Sequence, residues 1–482
     1  MTRFLLAAAL TLAAGAAPAA PDLTACRINA GPGFPGIDAR CGTVERPLDP
    51  DRPDAGTITL NVAVVPALSL EPAADPLVPI AGGPGQSTVQ FYAASFTAFE
   101  RIRQARDILL VDQRGTGDSA PLGCELDEEV VEGRFSPEQT ARITEECLAA
   151  LPHDPRFFTT SVAVRDLEAV RTALGYGPLN LYGVSYGSRV AQHFARRFPD
   201  STRTVILDGV VPPQLPLGPD IAIESQRALD RVFDRCRESA ACAGRFPGLD
   251  DRFDALARTL GKEPVFVDLP DPVTGRPDVV EFGRDSFSAA VRLLLYDQRT
   301  IALLPLLLDS AANGYWAPLA AQFQMAAASL SEALAIGMHN AVMCTEDAPY
   351  IDWEHVDHDA LETSYLGPLQ VEAIRAMCSV WPPGVIDDDL RDPLATDAPV
   401  LLLSGEADPI TPPEYAQLAS VELRRAWLLT GRAQGHGIAG VGCMPRVLAH
   451  FVAELTLEGA GADCLDDAFA MPFFLDFTGP EP

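Results

Sequence analysis

The stretch that most constrains the fold of this chain is LNLYGVSYGSRVAQHFARRF, residues 179–198. Its first residues are apolar and predict a buried strand, whereas apolar residues recur at helical spacing from Val190 onward and predict a helix. The segment GVSYG, which contains Ser185, joins strand and helix. Such a tight turn crowds the backbone, and a glycine on either side of the serine relieves the crowding. The pattern is typical of a nucleophile elbow, with the serine hydroxyl at the tip and a helix N-terminus behind it.

Strand and helix patterns alternate over the first part of the chain. DPLVPIAGGPG and ARDILLVDQRGTGDS read as strands that end in glycine-rich turns, SVAVRDLEAVRTALG as a helix, and RTVILDGVVPP as a strand stopped by prolines. GTITLNVAVVPA, residues 56–67, predicts an early strand pair. The alternation predicts an α/β fold with a mostly parallel central sheet and helices on both faces.

The pattern changes near residue 212, from which the chain is mainly helical until about residue 397. FVDLPDPVTGRPDVVEF within this region predicts a small hairpin. Strand character returns in APVLLLSGEADPITPP and RRAWLLTGRAQGHG. We therefore expect a sheet domain in two parts, residues 21–211 and 398–482, interrupted by a helical cap over residues 212–397.

The N-terminus and the cysteines favour export. Residues 1–20 predict a signal peptide, because Arg3 precedes an apolar stretch too short to span a bilayer and a small-residue cleavage site follows. The ten cysteines favour disulfides, and pairing sequence neighbours gives five short loops, although spacing alone leaves the connectivity open. LTAC, which ends at Cys26, resembles a lipoprotein box, so a lipid anchor is the minor alternative to a free periplasmic or extracellular protein.

The charge excludes some classes of partner. A net charge of −30 argues against nucleic acid and against anionic membrane surfaces. His355 and His358 stand among aspartates, but such isolated loops are usually solvated, so no metal is expected, and no cofactor either.

The partners of Ser185 should follow other strands, because functional groups collect at the carboxyl ends of strands in an open α/β sheet. Asp408 comes shortly after PVLLLSG, and His436 shortly after AWLLTG, in the order serine, acid, histidine. A neutral imidazole would take the serine proton, and the carboxylate would fix its tautomer. Glu406 is the local rival for the acid. We therefore predict a triad of Ser185, Asp408 and His436.

The segment AGGPGQS, residues 81–87, predicts an oxyanion site. Glycines let backbone N–H groups approach a developing negative charge. We assign one donor to the N–H of Gly83 and the other to the N–H of Tyr186, the residue after the nucleophile. In the second glycine-rich turn, Asp112 and Arg114 are interpreted as structural supports, with direct substrate contact as the alternative.

Taken together, GGPGQS, DQRGTGDS, GVSYGS, GEADPITP and GHG resemble the α/β-hydrolase serine peptidases of the proline iminopeptidase and tripeptidyl aminopeptidase group. The secreted tripeptidyl aminopeptidase-like branch is the more similar, since it has a signal peptide, a large cap and a cysteine-containing C-terminal segment. The resemblance supports the same triad. Ala81 stands where proline iminopeptidases have a histidine, which argues against strict proline iminopeptidase specificity.

The resemblance implies that the protein removes residues from the N-terminus of peptides through an acyl-enzyme. A cap carboxylate would bind the free ammonium group, and Glu346 and Asp347 are the candidates, with an ordinary surface turn as the alternative. They adjoin Cys344, whose disulfide to Cys378 would hold the segment. An exported carboxylesterase or lipase that uses the same triad on an ester is the alternative.

Overall fold

A single large sheet organises the protein. The structure is a computed structural model that describes residues 21–31, 35–124, 136–270, 275–466 and 470–480. The predicted signal peptide lies outside the described residues. Nine strands are hydrogen-bonded in the order β1-β2-β3-β5-β4-β6-β7-β10-β11. Their bounds are β1 Thr24–Ile28, β2 Ile37–Pro47, β3 Thr57–Val65, β4 Ala73–Ile80, β5 Arg106–Val111, β6 Leu179–Val184, β7 Thr202–Asp208, β10 Val400–Gly405 and β11 Ala426–Gly431.

The sheet is parallel where the predicted site residues lie and antiparallel at one edge. Strands β4 to β7, β10 and β11 run parallel, whereas β1, β2 and β3 pair antiparallel. The predicted strand pair in residues 56–67 is wrong, because these residues form the one strand β3 between β2 and β5. Strand β2, which the sequence reading missed, provides the second partner.

Helices cover both faces of the sheet, as predicted. Strands β6 and β10 are buried at every position, as expected for parallel strands that are covered on both sides. The helices described by the structure are α1 Thr88–Ser95, α2 Glu100–Arg103, α3 Pro137–Ala150, α4 Thr160–Ala173, α5 Tyr186–Arg197, α6 Ile221–Glu238, α7 Ala240–Arg245, α8 Leu249–Leu260, α9 Arg284–Leu294, α10 Gln298–Ala312, α11 Ala317–Ala333, α12 Ile336–Val342, α13 His358–Thr363, α14 Leu369–Val380, α15 Pro413–Ala419 and α16 Met444–Glu454.

The chain between β7 and β10 carries helices α6 to α14 and a separate hairpin. The hairpin strands, β8 Val265–Pro270 and β9 Pro277–Phe282, pair with each other and confirm the predicted hairpin. Much of this region packs around its own apolar cluster, which includes Phe253, Phe287 and Leu304. The rest of the segment joins an apolar cluster that packs on the sheet, through residues such as Met338, Val342 and Trp381.

The ten cysteines form five disulfides between sequence neighbours. The pairs are Cys26–Cys41, Cys124–Cys147, Cys236–Cys242, Cys344–Cys378 and Cys443–Cys464. The Cys26 sulfur, the candidate for lipid attachment, is bonded to that of Cys41. None of the helices that the structure describes has the length and apolar character needed to cross a membrane.

Candidate active site

Ser185 lies in a strained turn at the carboxyl end of β6. Its φ is 55°, a left-handed value that costs a non-glycine residue energy and that is found disproportionately at active sites. The Ser185 N–H donates to the Asp208 carbonyl at 2.8 Å, and helix α5 begins at the next residue. The local structure therefore has the predicted strand–turn–helix form, with the serine side chain at the junction.

The glycines of GVSYG are required by close approach of the backbone. A Cβ on Gly187 would lie 2.2 Å from the Ile80 carbonyl oxygen, and a Cβ on Gly183 would lie 2.2 Å from the Gly187 carbonyl oxygen. Real Cβ atoms do not approach backbone this closely, so only glycine fits. The backbone crowding predicted around Ser185 is thus confirmed.

Asp408 and His436 are brought together after β10 and β11. The Nδ1 of His436 lies 2.8 Å from the Asp408 Oδ2. An ionised carboxylate can only accept, so Nδ1 carries the proton and Nε2 is left to act as a base. Asp408 also accepts from the N–H groups of Ile410 and Thr411, and from the Thr411 hydroxyl at 2.8 Å. These bonds fix the carboxylate that orients the imidazole.

The electrostatics favour a histidine that can hold a proton. Burial disfavours the imidazolium, yet the Asp408 carboxylate, its hydrogen bond and the more distant Asp208 outweigh burial and raise the pKa of His436. Stabilising the imidazolium in this way is what the acid of a serine–histidine–acid triad does.

Ser185 and His436 lie on either side of the Asp208–Gly209 junction. The Ser185 N–H donates a hydrogen bond to the Asp208 backbone carbonyl. On the other side, a Cβ on Gly209 would lie 2.9 Å from the His436 Cε1. Between these two described side chains the structure contains no hydrogen bond. Such contacts are often long without substrate and shorten in the complex.

Asp208 is a site residue that the sequence reading missed. Its buried carboxylate accepts from the N–H groups of Ile438 and Ala439 at 2.9 Å each, and from the Tyr182 hydroxyl at 2.8 Å. It thereby ties the loop after His436 to strands β6 and β7. Burial raises the pKa of Asp208 and outweighs these hydrogen bonds, which lower it. Its position as the last residue of a strand was the signal available in the sequence.

Tyr296 of the cap also contacts His436. The His436 N–H donates to the Tyr296 carbonyl at 2.8 Å, and the two rings meet edge to face with centroids 5.2 Å apart. Tyr296 lies between α9 and α10, so the cap contributes directly to the position of the base. Nothing in the local sequence around Tyr296 indicated this role.

Glu406, the rival acid, has other partners. It accepts from the Ala433 N–H at 2.9 Å and lies 3.6 Å from an Arg231 guanidinium nitrogen. Its side chain is 44% exposed, whereas that of Asp408 is fully buried. Of these two carboxylates, only that of Asp408 contacts His436.

The glycine-rich turn after β4 packs against the nucleophile. A Cβ on Gly82 would lie 2.9 Å from the Ser185 Cβ, and Gly83 has a φ of 107°. Tyr186 is the first residue of α5, so its N–H has no acceptor within the helix. The oxyanion role of the Gly83 and Tyr186 N–H groups stays a prediction.

Asp112 and Arg114 are engaged in internal contacts. The Asp112 Oδ1 accepts from Ser87, the N-cap of α1, at 2.8 Å, which anchors the glycine-rich turn. Arg114 is completely buried and forms a two-point ion pair with Asp166 at 2.7 and 2.9 Å. Both contacts favour the structural interpretation over direct substrate contact.

Glu346 and Asp347 lie in a π-helical turn, Met343–Asp347, next to the Cys344–Cys378 disulfide. Asp347 forms a two-point ion pair with Arg189 at 2.8 and 3.0 Å, and Glu346 accepts two hydrogen bonds from Thr160. Both carboxylates are completely buried. An ammonium group would have to displace these partners, so amine binding by either residue stays a prediction.

The fold is that of an α/β hydrolase, and Ser185, Asp408 and His436 follow its strands in the order predicted for a serine hydrolase. Comparison with known proteins agrees. Residues 364–464 match the family described as TAP-like protein. Serine protease Hip1 of Mycobacterium tuberculosis is 25% identical over 483 residues, covering 88% of this chain and 87% of that protein. The tripeptidyl aminopeptidase of Streptomyces coelicolor is 26% identical over 444 residues, covering 83% of this chain and 78% of that protein.

A third relative is carboxylesterase B of Mycobacterium tuberculosis, 28% identical over 468 residues that cover 88% of this chain and 86% of that protein. The matches confirm the resemblance to the proline iminopeptidase and tripeptidyl aminopeptidase group and the α/β-hydrolase fold. The chain is therefore similar, over most of its length, to enzymes of the serine-peptidase type.

Proposed function

We propose that this protein is an exported serine-type aminopeptidase that releases short N-terminal fragments, proline or tripeptides, from peptides. The observation that carries the proposal is the His436–Asp408 pair beside the strained Ser185 turn. The similarity to the tripeptidyl aminopeptidase of Streptomyces coelicolor supports the peptide substrate. Export to the periplasm or the medium is supported by the five disulfides, which persist in oxidising compartments.

The reaction proceeds in two steps. His436 Nε2 takes the hydroxyl proton as Ser185 Oγ attacks the scissile carbonyl carbon, and the N–H groups of Gly83 and Tyr186 stabilise the resulting oxyanion. Collapse of the intermediate breaks the C–N bond, and the imidazolium gives its proton to the leaving amine. Water then attacks the acyl-enzyme with His436 again as base, which releases the acyl fragment and restores Ser185.

Recognition of the peptide N-terminus requires a carboxylate within reach of a peptide bound at Ser185. Asp347 and Glu346 are the candidates in the cap, and their charge suits an ammonium group. Both carboxylates are buried and already paired. Asp347 could bind the ammonium group only if its contact with Arg189 breaks, and Glu346 only if its contact with Thr160 breaks.

Ester hydrolysis is the second candidate, because carboxylesterase B is among the relatives and the same triad attacks oxygen esters. A tripeptidyl anilide with a free amine and its N-acetylated twin separate the two functions. An aminopeptidase hydrolyses the free compound at least about 100-fold faster in kcat/KM, since loss of a buried charge contact costs several kcal/mol. Equal rates on both anilides, with faster cleavage of a simple ester, would establish an esterase.

The nucleophile is tested with Ser185→Ala and a fluorophosphonate probe. The variant should lose labelling and turnover, whereas Ser420→Ala, the same change at the C-cap of helix α15, should keep both. Labelling that persists in Ser185→Ala would identify a different nucleophile.

A further inference from the structure

A buried chain of hydrogen bonds runs from the cap to the residue after the nucleophile. Gln113 Nε2 donates to the Tyr186 hydroxyl at 3.0 Å, and that hydroxyl lies 2.7 Å from the Thr160 Oγ1. Thr160 donates to Glu346 twice, from its hydroxyl and from its backbone N–H, each at 2.7 Å. The chain thus joins α4, α5 and the π-helical turn of the cap.

The acceptor at the end of the chain sets its direction. An ionised Glu346 can only accept, so the Thr160 hydroxyl donates to it. The Tyr186 hydroxyl then donates to Thr160 and accepts from Gln113. A protonated Glu346 would donate to Thr160 and reverse the chain, and the Tyr186 O–H would be left without an acceptor in a buried place.

The surroundings of Glu346 leave its ionisation sensitive to pH. Burial raises the pKa of Glu346 to about 7, against the attraction of Arg189 and the two bonds from Thr160, and the neighbouring Asp347 adds to the rise. Arg391 faces the same turn and donates to the Glu346 backbone carbonyl at 2.8 Å. Glu346 therefore changes charge near neutrality.

We propose that Glu346 is a positioning residue: through Thr160 it holds the Tyr186 ring, and with it the Tyr186 backbone N–H, in the geometry of the oxyanion site. This inference rests on the proposed function only in assigning that N–H to the oxyanion. It gives Glu346 a role other than the amine binding expected from the sequence, and it fits a side chain with no exposed surface.

The ionised form is the active form. When Glu346 loses its charge the Tyr186 hydroxyl loses its acceptor, the ring shifts, and the N–H on the same residue moves away from the oxyanion. Removal of a whole oxyanion donor costs about 100- to 1,000-fold in rate, so we expect a partial loss of about tenfold.

Glu346→Gln tests the proposal, because its amide keeps the shape and donates to Thr160 as the protonated acid would. The measurement is kcat/KM for p-nitrophenyl acetate, which has no amino group, between about pH 5 and about pH 9. The ratio of wild type to variant should be about 10 at high pH and should fall to about 1 at low pH, with a midpoint near 7. Titration of His436 is common to both proteins and cancels in the ratio.

Thr160→Val breaks the same chain without touching the carboxylate and should give the same pH-dependent ratio, while Thr160→Ser should restore wild-type behaviour. Glu422→Gln, the same chemical change in an exposed loop, should give a ratio of 1 at every pH. Where Glu346→Gln fails to fold by circular dichroism, the two Thr160 variants decide the question.

Two results would overturn the inference. One is a ratio that does not vary with pH in either Glu346→Gln or Thr160→Val. The other is a Glu346→Gln variant that hydrolyses p-nitrophenyl acetate at the wild-type rate but has a raised KM for the free-amine anilide. That result would assign Glu346 to amine binding instead. Failure of the proposed function is separate, since it appears as equal rates of the wild-type protein on free and N-acetylated anilides.

Discussion

Asp208 offers the sharpest test of how the fold positions the catalytic base. Its carboxylate is the acceptor for three buried donors, the N–H groups of Ile438 and Ala439 and the Tyr182 hydroxyl. Asp208→Ala removes the acceptor and leaves all three donors inside the protein. At about 1–3 kcal/mol for each unsatisfied buried group, the free energy of unfolding should fall by at least about 3 kcal/mol.

The same substitution should slow the chemistry. His436 lies two residues before Ile438, so release of that loop displaces the imidazole from Ser185. A displacement of about 1 Å costs about 100-fold in rate, and we expect that loss in the second-order rate of fluorophosphonate labelling. Chemical denaturation followed by fluorescence gives the stability, and labelling under native conditions gives the reactivity.

Tyr182→Phe is the matched control. It removes one donor but leaves no buried polar group without a partner, since the Asp208 carboxylate keeps its two backbone bonds. We expect a loss of about 1 kcal/mol and nearly normal labelling. The Asp208 carboxylate does not hold the histidine loop if the free energy of unfolding of Asp208→Ala lies within about 1 kcal/mol of the wild-type value and the variant is labelled at the wild-type rate.

Three further predictions follow from the site. Gly187→Ala should fold poorly, with a loss above about 3 kcal/mol by thermal unfolding, because its Cβ would lie 2.2 Å from a backbone oxygen; normal stability would contradict the close approach. Asp408→Asn should lower the pKa of His436, since the carboxylate raises it while burial lowers it, and the acid limb of the labelling rate should move to lower pH. The pKa of Glu346 is raised from 4.5 to about 7 in the folded state, so this group favours folding of the protonated form and reduces stability as pH rises through that window. Glu346→Gln should remove this downward slope from a series of denaturation curves, and an unchanged slope would show that Glu346 ionises normally.

The sequence alone contained the α/β alternation, the nucleophile turn and the order of serine, acid and histidine. These are local properties: strand and helix periodicities, the crowding that demands glycine around Ser185, and the polar residues that follow apolar strands. Each is written within a few neighbouring residues, so it can be read without knowing what packs against it. The hairpin in the cap was predictable for the same reason.

Other features appeared only in the tertiary structure. Strand β2 was missed and residues 56–67 were misread as a pair, because pairing at an antiparallel edge depends on distant partners. Spacing left the disulfide connectivity open, and only the fold brings each sulfur to its neighbour.

The roles of buried polar groups were decided by packing alone. The sequence offered Glu346 and Asp347 as candidates for amine binding, but only the fold sets Thr160 and Arg189 against them. Asp208 and Tyr296 likewise hold His436 through contacts with residues far away in the chain. Local motifs identify the reactive residues because each motif lies within a few neighbouring residues. The residues that position them act through hydrogen bonds that form only when the chain is folded.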